Sequence, residues 1–144
     1  MMSKAAKFFA LSGRHQLMLA HALVSLWRTW IGLRTTKFAR LRAAADGPAI
    51  GPARIGRPSP ERLAWAVAAA SRYVPDGFNC LIRALAAGRM LRHYGYDAAL
   101  RIGVVKDQKN GLAAHAWLES DSQVIIGGFE LGRYVTLASH RSAA

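Results

Sequence analysis

The sequence predicts an α+β domain in which helices precede an antiparallel sheet. Apolar residues recur at helical spacing as far as residue 94, and a period-two alternation begins at residue 98. Asn110-Gly111 is a strong turn signal between two alternating segments. Because a run of helices followed by a run of strands is typical of α+β folds, we expect the helices to pack on one face of the sheet. The 144 residues are enough for one domain, and 52% hydrophobic with 19% charged residues is a globular composition.

The first 45 residues predict a basic helical segment. Its apolar stripe comprises Leu17, Ala20, Leu23, Val24, Trp27 and Ile31. We expect Gly13 and Gly32 to divide it into pieces. Residues 1–60 hold ten Lys and Arg against one acid, Asp46, which gives a net charge of +9 of the total +12. This charge favours anionic partners, and two interpretations stay open: a solvated basic face, or a surface that docks a partner protein or a membrane.

Residues 46–59 predict a linker, because closely spaced glycines and prolines exclude a long helix or strand. Ser59 is placed to cap a new helix that has Pro60 at its first position and extends to about residue 73. We therefore divide the chain into a helical segment 1–45, a linker 46–59 and a catalytic domain 60–144.

The catalytic domain is predicted to continue with a turn over residues 74–79 and a helix over about 80–94 that Gly95 terminates. Strands should follow at Ala98–Val105, Ala113–Glu119, Gln123–Ile126 and Arg133–Leu137. The polar stretch Ser120–Gln123 predicts a hairpin turn between the second and third strands.

Cys80 is the only cysteine, so the chain forms no intramolecular disulfide, and a reducing cytoplasm is the expected compartment. The residue opens a helix directly after a Pro-Asp-Gly turn. The positive end of the helix dipole favours an anionic sulfur there, and unpaired backbone N–H groups, including that of Cys80, can hold an oxyanion. A buried structural cysteine is the alternative.

His115 is the second candidate. Strand alternation puts His115, Trp117 and Glu119 on one face and Ala114, Ala116 and Leu118 on the other. A cysteine at a helix start followed by a histidine on a strand is the order in which imidazole activates a thiol, so we expect His115 within hydrogen-bond reach of Cys80. His93 and His140 are less well placed, and a structural histidine is the alternative.

The third catalytic group is left open. A hairpin centred on Asp121-Ser122 sets His115 opposite Gly127 or Gly128, where no carboxylate stands. The candidates are a backbone carbonyl near Gly127, Glu130 folding back, or Asp121 at the hairpin tip. We favour the carbonyl, since two glycines let the backbone come close and a neutral acceptor still selects the imidazole tautomer. No metal-ligand pattern is visible, and we expect no cofactor.

Four motifs together resemble the leader peptidases of lasso-peptide biosynthesis, a transglutaminase-like cysteine protease family. They comprise residues 80–86 (CLIRALA), 91–96 (LRHYGY), 99–104 (ALRIGV) and 115–119 (HAWLE). The resemblance covers about residues 60–137. It implies a Cys-His-Asp peptidase that removes the leader from a ribosomally made precursor, with Cys80 as nucleophile and His115 as base. The family's aspartate would fall near Gly127, where this sequence departs from the pattern.

The resemblance also implies partners. These are the precursor peptide, an ATP-dependent cyclase that closes the macrolactam, and a separate leader-recognition protein (a RiPP recognition element, for ribosomally synthesised and post-translationally modified peptides). The recognition protein is separate because residues 1–45 are predicted as helices and leave no room for a fused recognition domain.

Other functions remain as alternatives. A Cys/His site on this fold could perform acyl transfer or amide hydrolysis on another substrate, or the chain could be an inactive scaffold. The net charge of +12 would suit nucleic acid, but no helix-turn-helix, zinc-ligand or RNA-binding aromatic motif supports this. Leu17–Trp27 is too short to span a bilayer, although peripheral membrane contact stays possible.

Overall fold

A computed structural model describes residues 13–53, 55–73, 80–107, 111–127 and 135–136, and they form helices packed on one antiparallel sheet. This confirms the predicted α+β class. The helices are α1 (Gly13–Thr35), α2 (Phe38–Ala45), α3 (Pro60–Ala70, followed by a 3-10 turn Ser71–Tyr73) and α4 (Cys80–His93). The strands are β1 (Ala99–Asp107), β2 (Gly111–Ser120), β3 (Gln123–Ile126) and β4 (Val135–Thr136).

Helix α1 runs through Gly32 without a break, contrary to the sequence-based expectation. A Cβ at Gly32 would lie 2.7 Å from the side chain of Leu41, so the glycine permits a close approach between α1 and α2. The chain leaves the helix only after Thr35. The predicted break at Gly13 falls at the first described residue.

Helix α1 belongs to the same hydrophobic core as the rest of the domain. Leu26 is fully buried on α1, as are Leu63 on α3 and Leu85 on α4, and all three join one cluster. The predicted boundary between residues 1–45 and 60–144 therefore does not coincide with a division of the core. Within the described part of the chain, no helix is both long and apolar enough to cross a membrane.

The first half of the predicted linker is tied down by hydrogen bonds. Asp46 Oδ1 accepts from the Leu100 N–H at 3.1 Å, and Gly47 exchanges two backbone hydrogen bonds with Ala98. The guanidinium of Arg92, near the end of α4, donates to three backbone carbonyls, those of Ala43, Ala44 and Pro48. The linker thus fastens α2 to the end of α4 and to the start of the sheet.

The predicted start of α3 and the predicted end of α4 are both confirmed. The Ser59 hydroxyl accepts from the Arg62 N–H at 3.2 Å, and Pro60 occupies the first turn of α3. Gly95 follows α4 with a φ of +92°, a left-handed conformation that favours glycine.

The sheet has the order β3-β2-β1-β4, with antiparallel neighbours. Asp121 and Ser122 both have positive φ angles, 50° and 63°, which is the two-residue turn that suits the twist of a hairpin. The fourth strand was predicted over Arg133–Leu137, and the described part of it is Val135–Thr136. Leu100, Ala116 and Leu118 turn towards the helices and complete the core.

Helix α4 is the centre of the helical layer, and its small residues allow close packing. A Cβ at Gly88 would collide with the carbonyl oxygen of Ala45 at the end of α2. We expect Gly88→Ala to lower the free energy of unfolding by about 1–3 kcal/mol, because this overpacking outweighs the higher helix propensity of alanine. Urea unfolding measures the change. Gly13→Ala is the matched control, since nothing lies within 4 Å of a Cβ there. A Gly88→Ala protein as stable as the parent would contradict the packing described.

Candidate active site

Cys80 is the first residue of α4, and its side chain is half-buried against the edge of the hydrophobic core. The thiol is free. At the start of a helix the backbone N–H groups have no partner within the helix, so they point outward beside the sulfur. The predicted position of Cys80 at a helix N-terminus is therefore what the structure shows.

His115 lies in the middle of β2, opposite Gly103 of β1. Its Nε2 is 2.6 Å from the carbonyl oxygen of Gly127, and its ring stacks on Trp117 with centroids 6.2 Å apart. A carbonyl oxygen can only accept a hydrogen bond, so Nε2 carries the proton. In the neutral ring Nδ1 then holds the lone pair that a general base needs.

A row of side chains supports the imidazole along the same face of β2. The indole N–H of buried Trp117 donates to Glu119 Oε1 at 3.1 Å. Arg101 on β1 donates to the other carboxylate oxygen of Glu119 at 3.3 Å. These contacts confirm the predicted alternation, and they fix the ring on which His115 stacks.

A β-bulge in β3 precedes Gly127. Glu119 pairs with Val124, but Leu118 pairs with Ile126, so Ile125 is an extra residue in β3. Gly127 then has a φ of +79°, and a Cβ there would lie 2.8 Å from the Ala116 carbonyl oxygen. The sequence placed His115 opposite this glycine pair from the hairpin register alone and did not foresee the bulge.

The expected contact between Cys80 and His115 stays a prediction. Ala116 and Leu118 face the helices, so by strand alternation the His115 side chain leaves β2 on the other face. Among the described residues no hydrogen bond joins the Cys80 thiol to the imidazole. The expectation was based on the order of the two residues along the chain. It did not consider on which face of the sheet His115 lies.

The other residues considered for the site lie away from His115 or outside the described residues. Asp121 is exposed at the hairpin tip, six residues from His115, which is roughly 15–20 Å along an extended strand. Glu130 and His140 lie outside the described residues. His93 ends α4 and packs edge-on against His21 of α1.

Sequence reasoning overlooked Arg83. It lies one turn after Cys80 on α4, and its Nε is buried without a hydrogen-bond partner among the described residues. The available signal was a charged residue on the apolar side of a helix, three positions from the only thiol. The described residues contain no group of three His, Cys, Asp or Glu side chains that could hold a metal ion.

An open groove of ≈ 900 Å³ lies at the hairpin end of the sheet. It is lined by α2, by the start of β1 and by the Arg101–Glu119 pair. Neither Cys80 nor His115 lines this groove, so it is a separate surface from the candidate site.

Comparison with known families gives one match. The family model described as the transglutaminase-like superfamily covers residues 20–139, a range that starts within α1 and contains Cys80, His115 and Gly127. No significant match was found among curated proteins or among solved structures.

The Gly127 contact makes a prediction about the proton on His115. In ¹⁵N NMR spectra of the neutral ring we expect Nε2 to be the protonated nitrogen, because the carbonyl accepts from it. Gly127→Ala should reduce this preference, since the added Cβ is strained at positive φ and meets the Ala116 carbonyl.

Gly56→Ala is the matched control, because Gly56 has a similar φ of +77° but nothing within 4 Å of a Cβ. It should carry comparable backbone strain and leave the His115 spectrum unchanged. A neutral ring protonated on Nδ1 in the parent protein would refute the assignment.

Proposed function

Since the chain belongs to the transglutaminase-like superfamily, we propose that it is a cysteine peptidase that removes the leader from a lasso-peptide precursor before macrolactam cyclisation. Enzymes of this superfamily are generally cysteine proteases or transferases. The observation that carries the proposal is the single thiol at the N-terminus of α4, combined with a strand histidine whose tautomer leaves Nδ1 basic. The motifs that resemble leader peptidases specify the substrate.

We assign Cys80 as the nucleophile and its backbone N–H as a donor to the oxyanion. The first N–H groups of α4 have no intrahelical acceptor, and a negative oxygen on a tetrahedral intermediate is the acceptor that they suit. Cys80 is half-buried at the first residue of the helix.

His115 is assigned as the general base, and its meeting with Cys80 is part of the proposal. Helix α4 has 14 residues, roughly 20 Å, and β1 runs back beside it for about six residues over that length. Six residues along β1 reach Val105, which pairs with Ala113. These lengths support a position of Cys80 at about the level of His115, although on the other side of β2.

The edge of β2 provides a route between the two sides. β3 pairs with β2 only from Leu118 to Ser120, so at His115 none of the described strands flanks β2 on that side. A thiol at the end of α4 and an imidazole near this strand edge can meet there when the substrate orders the site. Catalytic hydrogen bonds are often long before substrate binds.

The proposed reaction follows the chemistry of thiol peptidases. His115 Nδ1 takes the thiol proton, and the Cys80 sulfur attacks the carbonyl carbon at the end of the leader. The imidazolium then protonates the leaving amine, so the core peptide departs with a free α-amine and the leader remains as a thioester. His115 next activates a water that hydrolyses the thioester. A free α-amine is the nucleophile that a macrolactam-forming enzyme requires.

The partners follow from this role: the precursor peptide, a separate leader-recognition protein and an ATP-dependent cyclase. The exposed side of α1 supports a docking role, since Leu17, Val24 and Ile31 project from it at seven-residue steps and at least half of each side chain is exposed. Arg14 and Arg28 flank this stripe. Peripheral contact with a membrane is the other use that such a stripe would permit.

Two substitutions test the catalytic pair. Cys80→Ala should abolish leader cleavage, and His115→Ala should lower its rate by several orders of magnitude, because the thiol then lacks its base. The assay combines precursor, recognition protein and enzyme, with mass spectrometry of the released core peptide. Circular dichroism checks folding.

His15→Gln is the control histidine, since it lies on α1 and contacts Arg62 and Trp65 rather than the sheet. It should cleave at the parental rate. Full activity in Cys80→Ala would exclude the peptidase. Cleavage of an unrelated amide by the parent but not by Cys80→Ala, with no cleavage of the precursor, would instead favour another hydrolase.

The third group can be tested separately. If the Gly127 carbonyl orients the imidazole, Asp121→Ala and Glu130→Ala should each retain most of the cleavage rate. A backbone carbonyl stabilises the imidazolium less than a carboxylate does, so the parental rate itself should be low. A loss in either variant as large as that of His115→Ala would identify that residue as the third member.

A further inference from the structure

A compact pocket outside the candidate active site is surrounded by cationic side chains. It has a volume of ≈ 220 Å³ and lies between α1 and the second half of α4. Two residues of each helix supply the cations: His21 and Arg28 from α1, and Arg89 and His93 from α4. No carboxylate lines the pocket among the described residues.

The cationic side chains of this pocket repel one another. Burial lowers the pKa of His21 below its usual value, and the charges of His93 and Arg28 lower it further. Burial likewise lowers the pKa of Arg89, with Arg28 as a second cause. The fold thus brings like charges together without an internal counter-ion among the described residues, and an anion in the pocket would relieve this repulsion.

The helix dipole explains only part of the cluster. Arg89 and His93 lie towards the C-terminal end of α4, where cations are favoured, and Arg92 there is used by the linker carbonyls. His21 and Arg28 belong to α1, so the dipole of α4 does not explain why they line this pocket. The convergence of two helices on one cavity is what indicates a ligand.

The neutral lining gives the site its size and shape. Ser25 is buried and donates its hydroxyl to the Ala86 carbonyl at 3.1 Å, which ties the two helices together at the floor. His21 Nδ1 lies 3.3 Å from the Tyr94 hydroxyl, which holds the ring in place. Val24 and Ile50 form an exposed apolar rim. A cavity of this volume suits a single small anion, since sites for larger ligands begin at about 300 Å³.

We propose that this pocket binds a small oxyanion of the sulfate or phosphate class, either free or as the phosphate of a lipid head group. Arg28 and Arg89 supply the permanent charge. His21 adds charge when protonated, so binding strengthens as the pH falls. The proposal is independent of the thiol chemistry, and loss of the peptidase function would leave it standing.

Sulfate is the probe for the full-length protein, because its charge stays constant between pH 5 and 8. We expect calorimetric titration in a chloride buffer to show one site. Arg28→Gln and Arg89→Gln should each weaken sulfate binding by about 10-fold or more, as expected for loss of a charged hydrogen bond. Arg72→Gln removes an exposed charge outside the pocket and should bind sulfate as the parent does.

The pH profile separates this pocket from a general response to salt. Burial and the neighbouring charges lower the pKa of His21, so it gains its proton only below about pH 6.5. Affinity for sulfate, which is still a dianion at pH 5, should therefore be about three-fold or more higher at pH 5 than at pH 8. The groups that face His21 are Arg28 on its own helix, Arg89 and His93 on α4, and the Tyr94 hydroxyl after it. Replacing both histidines with Gln should abolish the pH dependence.

Vesicles distinguish the two sources of the anion. If the natural ligand is a head group, vesicles that contain phosphatidylglycerol should bind the protein and compete with sulfate, whereas phosphatidylcholine vesicles should not. If the ligand is free, neither vesicle should compete.

Unchanged sulfate affinity in both arginine variants, or an equal loss in Arg72→Gln, would overturn the proposal. Arg28 is exposed, so its variant remains informative even if Arg89→Gln fails to fold.

Discussion

The close packing of other elements around α4 is the constraint on which the rest of the structure depends. Gly88 lies against the Ala45 carbonyl, Ala86 accepts from Ser25 of α1, and Ala84, Ala86 and Ala87 are fully buried. Small side chains here let α1 and α2 approach one side of α4 while Leu85 and Leu91 remain in the shared core with the sheet. Because α4 is held from several directions, the position of Cys80 at its first residue is set by the whole core.

Local sequence signals predicted most of the framework. The cap at Ser59, the stop at Gly95 and the hairpin at Asp121-Ser122 each depend on one residue type in one backbone conformation, so a single sequence reveals them. The continuity of α1 through Gly32 could not be foreseen, because it depends on the distance to Leu41 in another helix. The bulge at Ile125 and the face on which His115 lies relative to the helices likewise arise from packing between elements.

The contact between His115 and the Gly127 carbonyl determines how well the candidate site can stabilise a positively charged imidazole. A carboxylate in that place would both select the tautomer and offset the positive charge that forms on the ring during catalysis. A carbonyl selects the tautomer with only a partial charge. The stacked Trp117, held by Glu119 and Arg101, instead fixes the orientation of the ring through packing. Orientation is thus secured more firmly than charge.

The hydrogen bonds from Arg92 to the carbonyls of Ala43, Ala44 and Pro48 fasten the C-terminal end of α4. One end of the helix is fastened near its last turn, and the sulfur sits at the opposite end, roughly 18 Å away at about 1.5 Å per residue. A tilt of about 10° around the fastened end would displace the sulfur by about 3 Å and leave the anchor almost still. The close contacts of α4 with α1 and α2 restrict such a tilt, so the fastened end and the packed middle of the helix together fix where the sulfur lies.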